Sequence, residues 1–127
     1  MPTPLTRDEE TRFVREMSKH VAEKLASDGI EASVLDLRSL VPMDRDAVLA
    51  LARRCHRVLI IHEDSRTGGI GESVAATVSE AAFEFLDAPV RIVGALDTPV
   101  PYSPPLEEFY LPSEAQIEHA ARLLVAY

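Results

Sequence analysis

Val58-Leu-Ile-Ile-His-Glu-Asp-Ser-Arg-Thr-Gly-Gly-Ile-Gly71 is the stretch from which the fold can be read. It opens on four consecutive apolar residues, three of them β-branched. An unbroken run of this kind suits a parallel strand covered on both faces. The glycine turn Thr67-Gly-Gly-Ile-Gly71 then opens a helix from about Glu72 to Leu86, with Val74, Ala75, Val78, Ala82 and Phe85 in helical register and Pro89 as its stop. A strand that passes through a glycine turn into an amphipathic helix is one half of a βαβ unit.

Working outward, Val90-Arg-Ile-Val93 reads as the next strand. Upstream, Asp44 caps a helix over about 45–54 whose Val48, Leu49, Leu51 and Ala52 share a face. Glu31-Ala-Ser-Val-Leu-Asp-Leu37 lies between Gly29 and the turn around Pro42, and its short apolar pattern predicts a first strand. Thr6-x-x-Glu9 is a capping-box pattern, followed by Phe13, Val14, Met17, Val21 and Leu25 at helical spacing up to Asp28-Gly29. Asp97–Pro112 holds five prolines and reads as extended and irregular, and Ser113 with Gln116 forms a second capping box for a final helix. Strands alternating with helices predict a three-layer α/β/α domain with a mainly parallel sheet. One domain spans 1–127, with a lead-in over 1–12 and a proline-rich loop over 97–112.

Composition narrows the function. Thirteen basic residues against 21 acidic ones leave a net charge of −8, which disfavours nucleic acid and favours a basic partner surface. With 46% hydrophobic and 27% charged residues the chain has the make-up of a globular domain. No apolar run reaches the roughly 20 residues of a membrane span, and the N-terminus lacks the pattern of a signal peptide, so a cytoplasmic location is expected. The single cysteine, Cys55, cannot form an internal disulfide, and next to His56 near a helix end it reads as a structural thiol.

Two places could carry chemistry. Thr67, Gly68, Gly69 and Gly71 offer amides at a helix N-terminus where an anion could sit. Their spacing matches neither a dinucleotide fingerprint nor a P-loop, and the glycines also suit close packing of helix against strand. His62 and Glu63 stand at the carboxyl end of the strongest strand, where open α/β sheets bind ligands, but neighbours on a strand point to opposite faces. The four histidines show no ligand spacing, so no metal site is expected. The aromatic residues of the proline-rich loop, Tyr102, Phe109 and Tyr110, with Asp97 and the terminal Tyr127, are candidates for an interface, because a stiff loop loses little entropy on docking.

In order, Gly29 to Asp44, Val58 to Gly71, Leu86-Asp-Ala-Pro-Val-Arg91 and Asp97-Thr-Pro-Val-Pro-Tyr102 closely resemble the C-terminal, transketolase-like domain of 2-oxo acid dehydrogenase β subunits, over about residues 14–127. His62-Glu63, Asp97-Thr-Pro99 and the aromatic C-terminus look most like the branched-chain (2-oxoisovalerate) type, while pyruvate and acetoin dehydrogenase β subunits share most of the motifs. The resemblance implies a part in thiamine diphosphate- and magnesium-dependent oxidative decarboxylation with acyl transfer to a lipoyl arm. It places the cofactor and the catalytic histidine outside this domain, so no catalytic, cofactor or metal residue is expected here and the chain alone should be catalytically incompetent. The implied roles are assembly with α and β subunits and docking of the acyltransferase subunit-binding domain.

The sequence departs from that family at one place. The family carries an apolar central strand before the first helix, where this chain has Pro2-Thr-Pro-Leu-Thr-Arg-Asp-Glu-Glu10. Without it, 31–37 and 58–62 would lie two strand spacings, about 10 Å, apart. Direct pairing of these two strands is the favoured expectation, with a strand from another copy or partner as the other outcome and a homodimer as a way to bury leftover surface. A free-standing phosphate- or nucleotide-binding regulatory module is the rival reading of the glycine turn.

Overall fold

The computed structural model describes residues 7–127, and side chains from Val14 onward. The Thr6 end of the first capping box, much of the 1–12 lead-in and the side chain of Phe13 therefore lie outside the described residues. The elements are α1 (Arg7–Ser27), α2 (Arg45–Cys55), β1 (Leu59–Ser65), α3 (Ile70–Ala82), β2 (Arg91–Ala95), α4 (Pro104–Tyr110) and α5 (Glu114–Val125), with a 3-10 turn over Phe83–Phe85. No helix among the described residues is long and apolar enough to cross a membrane.

The helices begin and end for local reasons visible in the chain. The Asp44 carboxylate accepts the Ala47 N–H at 3.0 Å, and Ser113 and Gln116 close their capping box in both directions. Gly29, at φ +79°, ends α1 in the left-handed region that favours glycine. α2 ends at His56, also left-handed, whose ring Nδ1–H donates to the Phe85 carbonyl at 2.7 Å.

β1 and β2 pair in parallel, Leu59 opposite Arg91 and Ile61 opposite Val93. Alternation along β1 sends its side chains into two cores. Val58 and Ile60 meet Val48, Leu49 and Ala52 of α2 and Val74, Val78 and Ala82 of α3, while Leu59 and Ile61, with Val93, meet Met17, Val21 and Leu25 of α1 and Ile117 of α5. Helices on both sides of a parallel sheet make the three-layer α/β/α arrangement expected. Exposed contacts lace α1 to α5, from His20 to Glu114, Lys24 to Glu118 and Arg122 to Asp28. Hydrogen bonds from Arg122 hold the Glu118 carboxyl below its ordinary range.

Two expectations need correction. Residues 31–37 form no strand, and the sheet has two strands rather than three. The expected direct pairing of 31–37 with β1 does not occur: apart from a tight turn between Leu37 and Ser39, these residues make no backbone hydrogen bond to another described residue. The segment is tethered at its ends instead, Ile30 in the α1 core and Leu37 in the α2 core. Val34 and Leu35 between them remain 46% and 42% exposed. The second correction is α4, a short helix inside the segment expected to be irregular. It starts on Pro104-Pro105, where a helix needs no N–H donors.

Candidate functional site

The C-terminal end of β1 and the glycine turn form one unit built around His62. Its Nδ1–H donates to the Asp64 carbonyl at 3.0 Å, and its Nε2 is buried with no hydrogen-bond partner among the described residues. Three glycines surround the ring. A Cβ on Gly94 of β2 would stand 2.8 Å from His62 Cε1, one on Gly69 would stand 3.0 Å from the same atom, and one on Gly71 would overlap Nε2. The glycines therefore make room for an imidazole, and the ring fills the contact between β1, β2 and the start of α3. Alternation turns Glu63, which is half-buried, to the other face of the strand. His62 and Glu63 do not converge on one ligand.

Two amides of the turn, those of Thr67 and Gly68, are engaged by carboxylates of the chain itself. Asp97 accepts from Thr67 twice, from N–H at 2.8 Å and from Oγ1–H at 2.6 Å. Those two bonds, the hydroxyl first, hold the Asp97 carboxyl below its ordinary range, and the nearby Arg66 charge acts in the same direction. Glu72, in the first turn of α3, accepts from Gly68 N–H at 3.0 Å and faces Arg66 at 3.4 Å. Asp64, Glu72 and Asp97 make the surroundings of the turn negative, which opposes an added phosphate. Among the described residues no group of three or more His, Cys, Asp or Glu is placed to hold a metal ion. Cys55 is a half-buried free thiol, and its neighbour His56 is engaged by Phe85.

The interface candidates separate in space. Tyr102 is fully exposed and Phe109 76% exposed, and Val100 and Leu106, which sequence reasoning missed, are also exposed apolar residues of the loop and α4. Tyr110 is a correction: it is 7% exposed, and its carbonyl accepts the Leu96 N–H. The seven-residue α4 turns Phe109 outward and Tyr110 inward, an assignment an irregular loop could not provide. Asp97 is exposed and pins the start of this loop to Thr67. Tyr127, 63% exposed, borders a shallow groove of about 520 Å³ that includes Ala75, Phe83, Leu86 and Val90. Arg57 fixes the end of α5 beside it, donating to the Leu124 carbonyl at 2.9 Å. Phe83 lay within a helix expected to continue to Leu86, and only the 3-10 turn carries it to the surface.

The comparisons with known proteins agree with this architecture. The family model for the transketolase C-terminal domain matches residues 14–117. The chain is 40% identical over 111 residues to the pyruvate dehydrogenase E1 component subunit beta of Staurastrum punctulatum, covering 85% of this chain and 34% of that protein. It is 44% identical over 101 residues to the acetoin:2,6-dichlorophenolindophenol oxidoreductase subunit beta of Cupriavidus necator, 80% of this chain and 30% of that one. It is 37% identical over 107 residues to the 2-oxoisovalerate dehydrogenase subunit beta of Bacillus subtilis, 84% of this chain and 33% of that one. The chain thus spans about a third of the length of these relatives, and the three substrate types match it about equally well. A solved split-gene transketolase, in an inactive β4 tetramer, superposes with a TM-score of 0.72 at 30% identity over 87% of this chain and 35% of that one. The chain belongs to the transketolase C-terminal domain family, in the form related to the β subunits of 2-oxo acid dehydrogenases.

Proposed function

We propose that this chain serves as the C-terminal assembly domain of a 2-oxo acid dehydrogenase β subunit and carries no chemistry of its own. The observation behind this reading is the set of exposed apolar residues Val100, Tyr102, Leu106 and Phe109, carried on a segment whose start Asp97 pins to the glycine turn. Exposed aromatic residues on a preorganised support favour protein contacts, since little ordering is left to oppose association. The partners in this reading are the α and β subunits of the decarboxylating component, which would supply thiamine diphosphate and magnesium, and the acyltransferase subunit-binding domain. The net charge of −8 suits a basic docking domain. Within the family we favour the branched-chain, 2-oxoisovalerate type, on His62-Glu63, Asp97-Thr-Pro99 and the aromatic C-terminus. A cytoplasmic location is part of the same proposal.

The test is an assay of the purified chain with 2-oxoisovalerate, pyruvate and acetoin in turn, each with thiamine diphosphate, magnesium and an artificial electron acceptor. No turnover is expected with any of them. Turnover of one by the chain alone would overturn the reading.

A further inference from the structure

Residues 96–110 leave the body of the domain and return to it at one place. The Leu96 N–H donates to the Tyr110 carbonyl at 3.2 Å, and both limbs are held there: Ala95 and Tyr110 are buried, and Asp97 takes its two hydrogen bonds from Thr67. A loop of this length whose ends meet is an Ω-loop, and such loops are ordinarily packed by their own side chains. This one is not. Over 97–109 every residue is exposed except half-buried Pro101, and Val100, Tyr102, Leu106 and Phe109 belong to neither core. Pro99, Pro101, Pro104 and Pro105 fix their own φ and α4 orders the returning limb, so little freedom is left to fold the apolar side chains inward.

The charge of this loop has one sign. From Ile92 to Ala121 the chain has no lysine or arginine, and its carboxylates there are Asp97, Glu107, Glu108, Glu114 and Glu118. Glu114 and Glu118 are paired with His20, Lys24 and Arg122, and Asp97 is taken by Thr67. Glu107 and Glu108 form no ion pair with a described residue. They stand between Leu106 and Phe109 on α4, and at about 100° per residue they project one to each side of the line joining those two side chains. A partner that covers Leu106 and Phe109 therefore has both carboxylates at its borders.

We propose that the Ω-loop is a docking element for a different polypeptide whose contact face is apolar and bordered by lysine or arginine. The inference rests on the assembly reading above and adds to it where the partner sits and what chemistry it carries. The apolar part of that face covers Leu106 and Phe109, and its cations complement Glu107 and Glu108, the carboxylates the chain leaves unpaired on α4. A second copy of this chain suits the loop poorly. A contact of loop on loop would set Glu107 and Glu108 against their own copies. A contact of the loop with the groove of another copy fares no better, because that groove is lined by Asp87 and by no lysine, arginine or histidine.

Titration of the full chain with the amphipathic peptide acetyl-KKLLKLLKKLLKLLKK-amide, followed by amide chemical shifts and by fluorescence anisotropy of the labelled peptide, tests the loop. The shifts should concentrate on 100–109, and the matching peptide with glutamate in place of every lysine should bind at least about tenfold more weakly. Glu107→Lys/Glu108→Lys should weaken the lysine peptide at least about tenfold. Glu80→Lys/Glu84→Lys, which changes the net charge equally at exposed positions of α3 and the 3-10 turn, should weaken it less than about threefold. Glu107→Gln/Glu108→Gln reads the same contact should the lysine pair perturb α4. Absence of binding would overturn the proposal, as would shifts centred elsewhere, equal loss in the two charge-reversed variants, or self-association that Leu106→Ser/Phe109→Ser abolishes. Turnover in the assay above would instead overturn the assembly reading and leave the chemistry of the loop standing.

Discussion

His62 and Gly71 are complementary in volume: the imidazole occupies the space that a Cβ on Gly71 would need. Gly71→Ala should therefore destabilise the fold by about 2 kcal/mol, as overpacking does in a tight interior. In a His62→Ala background the same substitution should have a much smaller effect, because the atoms it would strike are gone. A double-mutant cycle by urea unfolding reads this directly, with a coupling of about 1 kcal/mol or more expected. Asp97 supports the neighbouring contact through charge. Its carboxyl is held below the ordinary value by Thr67, so its stabilising contribution is present above the unfolded-state value of about 3.9 and is lost as pH falls through the lower folded-state value. Asp97→Ala should accordingly be less stable than the wild type at pH 7, and the difference should shrink as pH falls below the unfolded-state value of about 3.9 in the same unfolding experiment. That the glycines serve packing was legible from their spacing, which matched no phosphate-binding pattern. Gly94, the third wall of the His62 pocket, was not, because it lies more than thirty residues from the histidine in sequence and only the pairing of β1 with β2 brings it there.

The elements that were legible carry both a local pattern and local punctuation. α2 and α5 have an apolar stripe and a carboxylate or hydroxyl cap, and β1 has an apolar run between polar turns. Residues 31–37 have the pattern without the partner. A strand depends on a neighbour for its hydrogen bonds, and with no described residue pairing to this segment Val34 and Leu35 are left part exposed. α4 was illegible for the opposite reason: prolines are read as breakers, but at the first turn of a helix they are tolerated. Core positions on the legible helices should behave as such. Ile117 of α5 is 1% exposed and packs on Met17, Val21 and Leu25, so Ile117→Ala should lose about 3 kcal/mol of stability in chemical denaturation.

On the scale of the whole molecule, the chain's exposed apolar surface falls outside its two cores. One part faces outward from the loop and α4, another lines the groove beside Tyr127, and a third is Val34 and Leu35 on the segment 31–37. Each of these surfaces is suited to a partner. Tyr102→Ser combined with Phe109→Asp should leave the melting temperature within about 2 °C of the wild type, because both side chains are solvated. The same pair should abolish association with a partner that uses this surface. The measurement that tests the assembly role most directly is the solution mass of the chain by light scattering, alone and mixed with an acyltransferase subunit-binding domain. The account predicts a mass increase on mixing that the Tyr102→Ser/Phe109→Asp variant does not show. A chain that stays monomeric and forms no complex at micromolar concentration would contradict it.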